Sequence, residues 1–136
     1  MSDMKQFNIL VVDDSTTNVV LIEAILSEKG YQIETAMTAE EAFVRIEKQV
    51  PDLILLDLLM PKISGFDFLE KLRQDKKTKN TPVVIISALT DDENVQKINK
   101  LETVDFIKKP IDIQYLVDLV EDVVKKSSTK QKLVNR

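Results

Sequence analysis

Four short apolar runs in this chain end on polar residues that differ in chemical kind. Asp57 ends the run Asp52-Leu53-Ile54-Leu55-Leu56-Asp57, the pair Asp13-Asp14 closes Ile9-Leu10-Val11-Val12, Ser87 closes Val83-Val84-Ile85-Ile86, and Lys109-Pro110 follows Val104-Asp105-Phe106-Ile107-Lys108. Runs of this kind read as strands buried on both faces, the habit of parallel sheets, and groups at the carboxyl ends of such strands meet in the crevice where ligands bind. Three carboxylates, a hydroxyl and an ammonium would therefore converge. The three acids repel one another unless a cation sits among them, and their hard oxygens suit Mg²⁺ or Mn²⁺. The chain has no His and no Cys, so imidazole and thiolate ligands, disulfides and the commonest general base are all excluded.

The elements that must position these groups follow from the apolar periodicity. Strands are predicted near 8–12, 32–36, 52–56, 82–87 and 104–107, with helical spacing between them. Val19, Leu21, Ile22, Ile25 and Leu26 mark the first helix, Ala39, Ala42, Phe43 and Ile46 the second, and Phe66, Phe68, Leu69 and Leu72 the third. Thr38 with Glu41 and Thr90 with Glu93 each fit a capping box, and Asp112 is suited to cap the last helix. Strictly alternating strands and helices imply an α/β fold, a doubly wound parallel sheet with right-handed crossovers and helices on both faces.

A length of 136 residues is that of one domain. The formal charge is −4, but Lys125 to Arg136 carry four Lys and one Arg with no acid, so the remainder sums to −9. An acidic body speaks against direct nucleic-acid binding. No apolar run is long enough for a signal peptide or a spanning helix, so a cytoplasmic protein without a membrane partner is expected. The expected domain is 1–126, with the polar, aperiodic segment 127–136 as a basic tail or linker stub.

From about Asn8 to Lys126 these residues, in this order and spacing, closely resemble the receiver domain of two-component response regulators, of the single-domain, chemotaxis-regulator-like kind. The run LDLLMPKISGFD from Leu56 to Asp67 resembles that family's phosphoacceptor loop, Asp13-Asp14 its acidic pair, Ser87 its small hydroxyl residue and Lys109-Pro110 its Lys-Pro. The resemblance implies five strands in the flavodoxin-like order 2-1-3-4-5 and a cis bond before Pro110. It further implies Asp57 as phosphoacceptor, with Mg²⁺ held by Asp14 and Asp57 directly, by Asp13 partly through water, and by the backbone carbonyl of Leu59. The phosphoryl oxygens would be shared among the metal, Lys109 and Ser87. Ser87 and Phe106 would form the switch that reshapes the surface of the fourth helical stretch, fifth strand and last helix. Implied partners are a sensor histidine kinase or a histidine phosphotransfer protein as donor, a downstream protein target and a phosphorylation-dependent second copy. Without a His the chain itself cannot be the donor.

Two departures from the family pattern stand out. Glu102-Thr103 occupies the place of the usual Gly-Ala, losing the glycine that commonly ends a helix. Leu59 and Leu89 flank the site where polar residues are common, compatible with loop packing, partner contact or slow hydrolysis of the acyl phosphate. The last helix carries Tyr115, Leu116, Val117, Leu119, Val120, Val123 and Val124, more apolar surface than one stripe requires, so part of it is expected to be exposed. Beside the switch stand two other readings: a receiver portion of a hybrid histidine kinase or larger regulator, and a scaffold that binds partners without phosphorylation. A phosphatase using an Asp nucleophile would need an acid two residues after Asp57, where Leu59 stands, so a non-enzymatic switch is expected.

Overall fold

The computed structural model describes residues 6–58, 65–88 and 103–134, with side chains of the final helix as far as Lys126. Strands β1 (Asn8–Val12), β2 (Gln32–Ala36), β3 (Leu53–Leu56), β4 (Val83–Ser87) and β5 (Asp105–Lys108) form one parallel sheet in the order β2-β1-β3-β4-β5. Helices α1 (Thr16–Glu28), α2 (Ala39–Lys48), α3 (Gly65–Gln74) and α4 (Ile113–Val134) cover it. The doubly wound architecture expected from alternation is thus present, in the flavodoxin-like strand order that the family resemblance implied. The fourth helical stretch of the sequence, with Thr90, Glu93 and Glu102, lies outside the described residues.

Period-two alternation along each buried strand divides the core between the faces. Leu10, Val12, Ile54, Leu56, Val83 and Ile85 pack with Ala42 and Ile46 of α2 and with Phe68, Leu69 and Leu72 of α3. Ile9, Val11, Leu53, Leu55, Val84 and Ile86 pack with Val19, Ile22 and Leu26 of α1 and with Leu116, Val120 and Val123 of α4. Each fully buried Leu or Ile is worth roughly 1.5–3 kcal/mol, so these two layers fix where the strand ends lie.

Helix ends are closed by the chemistry the sequence offers. Ser15 caps α1, its Oγ accepting from the Asn18 N–H, and Thr38 caps α2, its Oγ1 accepting from the Glu41 N–H. Glu41 returns its carboxylate to the Met37 N–H at 3.2 Å, one residue before the partner a capping box would use. Asp112 Oδ1 accepts from the Tyr115 N–H at the start of α4. At the end of α1, Gly30 takes φ +96°, and the Gly30 and Tyr31 N–H groups return to the carbonyls of Ser27 and Leu26, a Schellman closure that favours glycine.

Two expectations bear on the C-terminal part. Of the apolar residues on the last helix, Tyr115 is exposed, at 46%, and Leu119 and Val124 are half-buried, so part of that surface is exposed as expected; Leu116, Val117, Val120 and Val123 are buried. α4 shares its face of the sheet with α1. The segment after Lys126, expected as an aperiodic tail, continues as helix through Val134. Among the described residues no helix is long and apolar enough to cross a membrane.

Candidate functional site

Backbone hydrogen bonds carry the sheet ladder just past the strand ends and so hold the polar residues in place. The Asp13 N–H donates to the Ala36 carbonyl at 3.1 Å, the Asp57 N–H to the Val12 carbonyl at 2.9 Å, and the Lys109 N–H to the Ser87 carbonyl at 2.9 Å. Asp57 thereby stands at the tip of β3 beside the end of β1, in the crevice where the chain order of strands reverses.

Asp13 and Asp57 are almost fully buried, at 2% and 3% exposure, and Asp14 lies exposed at the rim. One carboxylate oxygen from each of the three acids falls within 4.8 Å of the other two. The Lys109 ammonium bridges the buried pair, 3.3 Å from Asp13 Oδ2 and 3.2 Å from Asp57 Oδ2. Partial burial alone would lower the Lys109 pKa, but the charges of Asp13 and Asp57 and its hydrogen bonds to them outweigh that and hold it above the usual lysine value. Three carboxylates against one ammonium leave the cluster negative, and an all-oxygen donor set of this compactness fits a small hard dication.

The remaining predicted residues fall around this cluster. Ser87 is fully buried at the end of β4, in register with Lys108 of β5. Lys108 is exposed and Lys109 is not, as strand alternation requires, and the Lys109-Pro110 bond is cis. Phe106 is half-buried on β5 against the core layer of α2 and α3. Its N–H donates to Asp105 Oδ1 at 2.7 Å, and Asp105 Oδ2 accepts from the Tyr115 hydroxyl at 2.5 Å, tying β5 to α4. Leu59 and Leu89 lie outside the described residues.

Two residues that hold the site carry no chemistry and escaped the sequence reading. The Ser15 N–H donates to Asp13 Oδ1 at 2.9 Å, so the residue that caps α1 also orients the buried acid. Gly65 opens α3 with its N–H on the Leu58 carbonyl at 3.0 Å, and a Cβ there would stand 2.4 Å from Leu58 Cα and 2.8 Å from the Asp57 carbonyl oxygen. Only glycine allows this approach. The signal was present, since the chain has just two glycines and this one sits between the acidic strand end and the next helix.

Comparison with known proteins agrees with this arrangement. The family model described as "Response regulator receiver domain" matches residues 9–121. The response regulator PleD of Caulobacter vibrioides is 44% identical over 106 residues, covering 76% of this chain but only 23% of PleD. Protein PilH of Pseudomonas aeruginosa is 30% identical over 118 residues, covering 85% of this chain and 96% of PilH. Among solved structures, a response regulator receiver protein from Pseudomonas putida superposes with a TM-score of 0.83 at 30% identity, covering 88% of this chain and 98% of that one. With a family match across most of its length, the same strand order and an acidic cluster at the tip of β3, the chain belongs to the response regulator receiver domain family.

Proposed function

We propose that the chain is a phosphorylation-controlled switch in which Asp57 takes a phosphoryl group from a phosphohistidine on a sensor kinase or histidine phosphotransfer protein. The observation that carries this reading is the Asp57 carboxylate at the strand tip, with the Lys109 ammonium at 3.2 Å and two more acids within 4.8 Å. A carboxylate oxygen of Asp57 attacks phosphorus, the P–N bond of the donor breaks, and the imidazole leaves with its electron pair. Mg²⁺, or Mn²⁺, held by Asp13, Asp14, Asp57 and the carbonyl of Leu59, would supply the charge neutralisation that lets a phosphate approach three acids.

The chain's own residues supply the rest. Lys109 exchanges part of its pairing with Asp13 and Asp57 for a phosphoryl oxygen, stabilising charge where it develops. The Ser87 hydroxyl, at the adjacent strand end, turns toward another phosphoryl oxygen, and Phe106 moves inward as the β4 end follows. A charged group of this kind reweights two nearby conformations, and the altered surface around β5 and α4 is what a downstream protein or a second copy reads. Such a switch modifies itself and is no enzyme toward other substrates. It engages neither nucleic acid nor membrane directly. A second reading, the same receiver serving as one part of a longer regulator, is favoured by its match to a 23% portion of PleD.

Intact-mass measurement after incubation with acetyl phosphate or phosphoramidate tests the proposal. The expected result is a gain of one phosphoryl group that requires Mg²⁺ or Mn²⁺ and disappears in Asp57→Asn. Equal modification of Asp57→Asn, or undiminished modification in excess chelator, would sink it and favour a phosphorylation-independent scaffold. Lys109→Ala tests the switch separately: it should keep metal binding yet lose most of the amide shift changes that beryllofluoride produces near Phe106.

A further inference from the structure

At the opposite end of the sheet lies a cavity of about 240 Å³ lined by Asn8, Leu10, Glu34, Arg45, Gln49 and Pro51, among others. Asn8 begins β1, about 16 Å along the strand from Asp13 at roughly 3.3 Å per residue, so this cavity is separate from the phosphoryl site. Leu10 and Val12 face α2 and α3, and alternation puts the Asn8 side chain on that same face, under the last turn of α2 that carries Arg45.

Among the described residues, two buried side-chain polar atoms lack a hydrogen-bond partner, Asn8 Oδ1 and Arg45 Nε, and both residues line this one cavity. Asn8 is only 7% exposed, and its backbone is pinned on both sides, its N–H to Asp52 Oδ2 and its carbonyl to the Asp52 N–H, each at 2.8 Å. Arg45 is anchored by Nη1 to Glu34 Oε1 at 3.2 Å; its side chain is 41% exposed as a whole, but its Nε is buried. A buried acceptor and a buried donor left without partners are costly, and proteins seldom tolerate them unless something supplies the missing bonds.

We propose that this cavity binds a small neutral molecule through a primary carboxamide, whose N–H₂ donates to Asn8 Oδ1 and whose carbonyl accepts from Arg45 Nε. Charge selects neutrality. Glu34 on the rim and the lone pair of Asn8 oppose an anion, while Arg45 and Lys48 oppose a cation. Size selects more than one water, because the volume is many times what a single water needs, and Leu10 and Pro51 give an apolar wall for the rest of the ligand.

The test is an NMR titration of the ¹⁵N-labelled full chain with benzamide, N,N-dimethylbenzamide and benzoate as probes. Benzamide is expected to give saturable shifts at the Asn8 side chain and Arg45 Nε–H, with the dimethyl amide, which lacks the donor, and benzoate, which carries charge, each at least about tenfold weaker, since a site built for hydrogen bonds rejects analogues that leave its groups unpaired. Asn8→Leu should lose at least about tenfold in benzamide affinity, and Arg45→Lys, which keeps the charge facing Glu34 but removes Nε–H, should lose a similar factor. Both variants should still take up phosphoryl groups at Asp57 like the parent. Equal affinity for all three probes, shifts scattered over the surface, or absence of saturation, with ordered waters alone satisfying Asn8 Oδ1 and Arg45 Nε, would overturn the proposal.

Discussion

Among the described residues, the two ends of this sheet bury polar groups in equal number but use them differently. Asp13, Asp57 and Ser87 are buried at the carboxyl ends of β1, β3 and β4; Asn8, Thr78 and Thr81 are buried near the amino ends. At the amino end, polar atoms are used to close the backbone. Asp52 and Asn8 exchange bonds, Thr78 Oγ1 donates to the Leu72 carbonyl, and Arg73 Nη1 donates to the carbonyls of Thr78, Lys79 and Thr81. At the carboxyl end the backbone N–H groups of Asp13, Asp57 and Lys109 continue the ladder, and among the described residues Lys109 stands between Asp13 and Asp57. The backbone closures of the first arrangement serve stability. The second concentrates like charges in a crevice, an arrangement that clusters at functional sites.

The largest expected effect that would break this contrast is at Gly65. Gly65→Ala forces a Cβ against backbone at Leu58 and Asp57, and should cost about 2–3 kcal/mol of stability by overpacking while slowing phosphoryl uptake; equilibrium denaturation and mass-resolved time courses measure both. Arg73→Met comes next. Leaving its three carbonyls without that donor should cost about 2 kcal/mol in unfolding free energy with uptake unchanged, and a matching loss of uptake would mean the two ends are coupled. Gly30→Ala sharpens the reading of the glycines: nothing lies near its Cβ, so only the left-handed backbone is strained, about 1 kcal/mol, and uptake should not change.

The smallest effect concerns pH. Lys109 titrates above its unfolded value, so the stability its pairing contributes is fully present below about 10.4, the unfolded lysine pKa, and is lost as pH rises through the raised folded value. Unfolding free energy compared between the parent and Lys109→Gln should show a Lys109-dependent difference that is flat from neutral pH up to that range and declines only beyond it. A difference that declines already between neutral and mildly alkaline pH would contradict the bridged ammonium.

What the sequence disclosed and what it hid divide along physical lines. Strand positions, the polar strand ends and the Thr38 and Asp112 caps depend on neighbours in the chain, and each was readable from local pattern. The convergence of Asp13, Asp57 and Lys109 depends on strand order, which alternation limits and the family resemblance supplied. The Arg73 clamp and the Asn8–Asp52 exchange depend on segments that meet only after folding, and no local pattern marks them; the need for glycine at position 65 is settled by the same kind of contact, though its placement in the sequence hints at it. Which residues of α4 are buried, Leu116, Val120 and Val123, and which are not, Tyr115, is likewise decided by packing on the sheet. The helix beyond Lys126 shows that a polar segment without apolar periodicity still extends a helix already nucleated by packing.

The central claim is that the carboxyl end of the sheet is a cluster of charge awaiting a dication while the amino end is not. The Mg²⁺ dependence of unfolding free energy tests it most directly, in the parent, in Asp57→Asn and in Asp52→Asn. A ligand that binds only the folded state at a hundredfold above its dissociation constant stabilises by about 2.7 kcal/mol. The parent and Asp52→Asn are expected to gain stability with Mg²⁺ in this way, and Asp57→Asn to gain far less. Equal stabilisation of Asp57→Asn and the parent, or no response of the parent, would contradict the account.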